Sequence, residues 1–230
     1  MPYPAQGAHF KKSIGLFAVV VIILVSYFFS LKGISQDMIR RDELTTLGHI
    51  GALESGSDVL PIADTVASLT TYSEQHPPLY FIIANLWGRV FSYHNIIIKL
   101  LSVFFGILTL ATIFRLAKDI GGDMVGYYSI FIASTSVLFL FYTHDIRQYT
   151  LGLFLTTLVW LVYHRITQQR QRVHLLQLAL LTLATIGTMY THFSTIFILL
   201  PIGLYHVLLV RKMKLWWQVS GAFVLAGVLF

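Results

Sequence analysis

Apolar runs broken by short polar stretches organise this chain. Runs of about 17 to 25 apolar residues can cross the hydrocarbon core of a bilayer as helices. Seven such runs stand out, at roughly 13 to 31, 96 to 116, 124 to 142, 146 to 163, 175 to 191, 193 to 210, and an incomplete one from 215. Between the first two runs lies one long polar loop, about residues 32 to 96. Within it Leu44, Leu47 and Ile50, and then Ile62, Val66 and Leu69, recur at helical spacing. The pattern predicts two short amphipathic helices lying on the membrane, separated by the Ser55-Gly56-Ser57 breaker. The segment Leu79 to Tyr93, interrupted by Asn85 and Arg89, is short for a crossing and reads as an interfacial or re-entrant helix.

Composition agrees with the pattern. Hydrophobic residues make up 56% of the chain and charged ones 11%, with a mean hydropathy of +0.73; an ordinary soluble domain is about a quarter charged. The fold class expected is an all-α polytopic membrane protein. The absence of cysteine excludes disulfides and thiolate metal sites, so any metal must use His, Asp or Glu. The net charge of +6 sits in short clusters between apolar runs rather than along one soluble face, which argues against nucleic acid as a partner and for topology signals.

Charge then orients the spans. Lys11-Lys12 precede the first run and no small-residue cleavage site follows, so the run is expected to be an uncleaved anchor with its start in the cytoplasm. If Leu79 to Tyr93 does not cross, then Arg115 and Lys118, the run Arg165 to Arg172, and Arg211-Lys212-Lys214 all face the cytoplasm; if it crosses, all of them face out. The positive-inside rule selects the first arrangement. Trp216-Trp217, just after the last basic cluster, fits an aromatic belt.

That topology puts four separate stretches at the outer face: Asp42-Glu43, His76, the group His144 to Tyr149, and Tyr190-Thr191-His192. Asp42 or Glu43 could take a proton from an acceptor hydroxyl, or could simply pair with Arg40 and Arg41 as surface ions. His76, ahead of two prolines that suit a first helical turn, could donate to a phosphate or be an exposed loop histidine. Asp145 and Arg147 lie at a span boundary, where charge near lipid needs a reason. Arg147 can hold a phosphate through its planar fork, or the two can pair with each other. Lys99 can snorkel to the outer surface from its apolar run, and His192 alone reads as a structural histidine.

Together these segments resemble the family 39 glycosyltransferases of the GT-C superfamily, which includes the protein O-mannosyltransferases and the aminoarabinose transferases of lipid A. The resemblance rests on the acidic pair Asp42-Glu43 in the first outer loop and on His76-Pro77-Pro78-Leu79-Tyr80. It continues through Lys99-Leu100-Leu101-Ser102 with Gly106, where the family has Arg-Leu-Pro-Ser and a glycine. His144-Asp145-Ile146-Arg147-Gln148-Tyr149 stands for Gln-Glu-x-Arg-x-Tyr, and Tyr190-Thr191-His192-Phe193 for Tyr-Thr-His-Tyr. It spans about residues 13 to 193, with Lys99, a point charge, in place of a forked arginine.

The resemblance implies a GT-C-type transmembrane bundle of which residues 1–230 are the N-terminal part, the C-terminal half being absent. It also implies an inverting glycosyltransferase of the plasma membrane, moving a hexose or pentose from a polyprenyl-phosphate-linked donor to a protein, lipid or glycan acceptor on the outer face. Asp42 is then the general base with Glu43 assisting or orienting it. His76, Lys99, Asp145, Arg147, Tyr149 and His192 are the expected substrate-binding residues, with Arg147 foremost on the departing phosphate. A divalent metal through Asp42, Glu43 or His76 is possible, although no ligand spacing demands one. Two alternatives stand beside this reading: a transporter or flippase-like protein whose charges line a pathway, and an inactive scaffold half of such an enzyme. Transporters place such charges near the bilayer midplane, whereas here they gather at one surface.

Overall fold

A computed structural model describes residues 15, 19–28, 39–53, 60–72, 76–168 and 173–230. All regular structure among them is helical: α1 (Val19–Phe28), α2 (Arg41–Ile50), α3 (Ile62–Tyr72), α4 (Leu79–Val90), α5 (Asn95–Gly121), α6 (Asp123–Thr135), α7 (Val137–Thr143), α8 (Tyr149–Gln168), α9 (Leu175–Met189), α10 (Thr195–Leu209) and α11 (Lys214–Val228). The Ser55-Gly56-Ser57 breaker, Lys11-Lys12 and both ends of the first apolar run lie outside the described residues.

Among the described residues two helices, α5 with 27 residues and α8 with 20, are long and apolar enough to span a membrane. At 1.5 Å per residue they reach roughly 40 and 30 Å, against a hydrocarbon core of about 30 Å. The run expected to cross as one helix from 124 to 142 is instead two, α6 and α7, bent by 64° at Ser136. Ser136 leaves helical geometry and its hydroxyl accepts a 3.5 Å hydrogen bond from the Phe139 backbone N–H, so the same residue ends α6 and caps α7. The runs at 175–191 and 193–210 shorten to the 15 residues each of α9 and α10, because Tyr190 to Ser194 form a turn between them. The segment from Leu79 becomes the 12-residue α4, too short to cross on its own.

Helix α5 is central, packed along α8 and α6, while α9 joins α8 to α11. Gly106 allows the close approach of α7: a Cβ there would come 2.7 Å from Thr143 Cγ2. Both loop helices form as their spacing predicts, but their apolar faces turn into the protein. Leu47, Ile50 and Leu69 are buried in one cluster with Tyr80, Phe81 and Ile98. Each such side chain contributes about 1.5–3 kcal/mol of transfer free energy. Leu44 and Ile62, members of the same two series, stay exposed. Of the two belt tryptophans only Trp217 is exposed; Trp216 stacks on the His206 ring at 5.3 Å and donates to its carbonyl.

A second cluster, with Val159, Tyr163, Leu181 and Val219, joins α8, α9 and α11. The two ends of α5 and α8 differ in character. Near their starts, the Ser102 hydroxyl donates to the Asp145 carbonyl; near their ends, Arg165 pairs with Asp119 at 2.7 Å and Arg115 pairs with Asp119 at 3.2 Å. The two helices therefore run parallel, with the candidate site at one end and a basic cluster at the other.

Candidate functional site

The site is assembled from five stretches of chain, and one buried carboxylate joins three of them. Glu43, on the first turn of α2, is 1% exposed. Its Oε2 accepts the Arg40 backbone N–H at 2.8 Å, which closes the start of the helix. Its Oε1 accepts the Ile146 backbone N–H at 3.0 Å across the interface and stands 3.9 Å from Lys99 Nζ on α5. Lys99 is 2% exposed, so it does not snorkel to a surface; burial has made it the counter-ion of Glu43.

The turn from His144 to Gln148 is fastened from several sides. Ile146 is fully buried in the cluster beneath α2, and the Asp145 carbonyl takes the Ser102 hydroxyl. The Asp145 carboxylate pairs with Arg40 Nη2 at 2.8 Å, and the Arg40 guanidinium also lies 4.3 Å over the Phe141 ring. Asp145 and Arg147 therefore do not form the ion pair that their spacing allowed. Burial pushes the Asp145 carboxyl up to about 6, against the opposing pull of Arg40.

Arg147 is left with no carboxylate partner among the described residues. It is 8% exposed. Its Nη1 donates to the Asp42 carbonyl at 3.4 Å and to the Thr46 hydroxyl at 3.5 Å, and its Nη2 lies 3.0 Å from His76 Nε2. Its Cζ stands 5.9 Å from the centre of the Tyr149 ring, at the edge of cation–π range. A guanidinium can only donate, so His76 accepts at Nε2 and carries its proton on Nδ1. His192 lies 6.4 Å from both His76 and Tyr149, ring to ring. The Ser194 backbone N–H donates to His192 Nδ1 at 3.1 Å, which puts the His192 proton on Nε2. Burial first, and the field of Arg147 second, lower the pKa of both histidines below 6.5 and keep them neutral. Arg147 Nε–H and His76 Nδ1–H are both buried and have no hydrogen-bond partner among the described residues.

Two loop segments meet here because the Leu79 backbone N–H donates to the Tyr190 carbonyl at 3.1 Å, tying the His76-Pro77-Pro78 segment to the turn that carries His192. Pro78 caps α4 rather than entering its first turn. Asp42, one residue from Glu43, is exposed, and its carboxylate forms no ion pair among the described residues. The structure thus gathers Asp42, Glu43, His76, Lys99, Asp145, Arg147, Tyr149 and His192 into one region, divided into a buried frame and an accessible face. No group of three His, Asp or Glu side chains forms a ligand set for a metal among the described residues. Glu43, committed to two backbone N–H groups and a lysine, is poorly placed to be a ligand.

Sequence reasoning passed over Thr46 and gave Arg40 only a local pairing. Thr46 follows Asp42 by one helical turn and donates to its carbonyl at 3.1 Å, a spacing that could have marked it. Arg40's reach to Asp145 had no local signal. A cavity of about 460 Å³ opens beside the cluster, with Tyr142, Gln148, Tyr149, Thr150, His192 and Thr195 in its wall.

Residues 75–230, more than half of the chain, match the family described as dolichyl-phosphate-mannose-protein mannosyltransferase. The matched region takes in every site residue named above except Asp42 and Glu43, with their neighbours Arg40 and Thr46. No curated protein and no solved structure matches the chain. With more than half its length matched, and with an all-helical fold built around apolar spans, the chain belongs to the dolichyl-phosphate-mannose-protein mannosyltransferase family, GT-C glycosyltransferases of membranes that draw on polyprenyl-phosphate-linked sugars.

Proposed function

We propose that the chain carries the donor-phosphate and base half-sites of an inverting transfer, in which a sugar leaves a polyprenyl phosphate for an acceptor hydroxyl at the outer face of the plasma membrane. The observation that carries this reading is Arg147, a nearly buried guanidinium with no carboxylate partner among the described residues, set against two neutral histidines. A buried cation without a counter-charge is costly, and an incoming phosphate oxygen supplies one. The unpartnered Arg147 Nε–H and His76 Nδ1–H are donors suited to such an oxygen.

In the reaction the Asp42 carboxylate takes the proton of the acceptor hydroxyl while that oxygen bonds to the anomeric carbon. The bond from the anomeric carbon to the phosphate oxygen breaks, its electron pair goes to the phosphate, and Arg147 and His76 meet the growing charge. Attack opposite the leaving phosphate inverts the centre. Glu43 takes no proton in this scheme; it holds Arg40, Ile146 and Lys99 and so sets Asp42 and Arg147 relative to each other.

The outer-face placement draws support from the parallel α5 and α8. The site residues stand at one end of this pair, and Arg115, Lys118 and Arg165 stand roughly 25 Å away at the other, counted along α5 at 1.5 Å per residue. The positive-inside rule assigns that basic end to the cytoplasm.

Binding of polyprenyl phosphate tests the reading. Arg147→Ala should weaken it at least about tenfold and Arg147→Lys should recover little, because a point charge does not replace a fork. Unchanged affinity in a folded Arg147→Ala protein would remove the phosphate site from this residue.

A further inference from the structure

The wall of the cavity beside the Arg147 cluster includes two residues with unpartnered polar atoms that the reaction above does not use. Gln148 is fully buried, and neither its amide nitrogen nor its amide oxygen has a hydrogen-bond partner among the described residues. Thr150, 1% exposed, has an unpartnered hydroxyl. Both residues belong to the cavity wall, their polar atoms closed off behind a lining that is otherwise mostly apolar, with Leu138, Phe139, Leu153 and Ile198. Buried amides are almost always satisfied, and an apolar residue of similar shape could fill this position without leaving polar atoms stranded.

The chemistry of the missing partner is constrained. A primary amide presents two N–H donors and an accepting oxygen, so its complement must both accept and donate. A phosphodiester only accepts, and an isoprenoid chain does neither. Hydroxyl groups do both, and a sugar offers them in adjacent pairs. The volume of about 460 Å³ lies within the roughly 300–1,000 Å³ of small-molecule sites. Tyr149 and His192, which flank the guanidinium, also line the cavity, so a sugar on a phosphate held at Arg147 can extend past them. Asp42 is not part of the cavity wall, which leaves the acceptor's approach to the anomeric carbon separate.

We infer that Gln148, with Thr150 beside it, is a specificity-determining residue whose amide rotates into the cavity when a sugar fills it and hydrogen-bonds sugar hydroxyls remote from the anomeric carbon. This rests on the donor-phosphate reading of Arg147. A polar group placed to meet a hydroxyl discriminates against an analogue lacking it, because that analogue leaves the buried amide unpaired.

The test uses the full chain, polyprenyl phosphate without sugar, polyprenyl-phosphate mannose, and its monodeoxy analogues. The native protein should prefer the parent donor over at least one deoxy donor by about tenfold or more, as expected for loss of one hydrogen bond to a buried group. Gln148→Met, close in volume, should erase that preference while leaving affinity for the sugarless lipid unchanged. Gln148→Asn, which keeps the amide but shortens its reach, should also lose it. The ligand-free Gln148→Met protein should melt no lower than native, because no hydrogen bond is lost. The inference is overturned if Gln148→Met keeps the native preference, if it loses the sugarless lipid as well, or if it is destabilised without ligand. If native protein fails to bind the sugarless lipid at all, the donor-phosphate reading fails and this one with it.

Discussion

Arg147 and His76 meet guanidinium to imidazole, Nη2 to Nε2 at 3.0 Å, in a contact that exists only while the imidazole is neutral. Burial, and then the charge of Arg147, lower the His76 pKa below its ordinary 6.5. The unfolded chain therefore takes up the proton first as the pH falls. Stability from this contact is full above about 6.5 and declines as the pH falls toward the lowered folded value. A glutamine side chain in the same place would accept this hydrogen bond without titrating. His76→Gln should flatten the loss of melting temperature between about pH 7.5 and pH 5.5 in detergent, only in part, since His49 and His192 are shifted the same way. An unchanged slope would show that His76 does not titrate with folding.

Asp42→Asn retains size and removes basicity. Transfer should fall by about a hundredfold or more, the lower end of general-base contributions, while binding of polyprenyl phosphate persists. Turnover near the native rate in a folded protein would exclude Asp42 as the base.

Glu43 and Lys99 form a buried pair, and removing one partner strands the other. Glu43→Ala should cost about 3–5 kcal/mol in chemical denaturation. The double variant Glu43→Ala with Lys99→Met should regain part of that loss, since no charge is left uncompensated. If the double variant is no better than the single one, the two backbone N–H groups held by Glu43 account for its whole contribution.

The chain contains no native cysteine, so single-cysteine labelling gives an unambiguous reading of sidedness. A cysteine at Ser92, exposed after α4, should react only with reagent added outside, and one at Gln168, exposed at the end of α8, only with reagent that has crossed the membrane. Reaction of Ser92→Cys solely from the cytoplasmic side would invert the proposed topology.

Much of the architecture was legible because it rests on local chemistry. Apolar runs marked α5 and α8, helical spacing marked α2 and α3, and the motifs pointed to eight side chains that lie in one region, where Arg40 and Thr46 join them. What stayed hidden depends on tertiary partners. Nothing near Lys99 in sequence shows that its counter-ion lies on α2. The adjacency of Asp145 and Arg147 suggested a pair, whereas Arg40 takes the carboxylate. The bend at Ser136 lies within an apolar run with no proline to signal it. Nothing in the sequence singled out Gln148, because a buried amide without a partner is visible only in three dimensions.

Asp42 and Glu43 are neighbours on a helix, and neighbours on a helix point about 100° apart. That angular offset divides their labour: one carboxylate turns inward as a keel while the other faces the solvent. The two can never grip one ion or share one proton while α2 stays helical, however close they lie in sequence. A single-residue insertion ahead of Glu43, within the first turn, would rotate that phase and separate the keel from Ile146 and Lys99, dismantling the site while every side chain in it remained present.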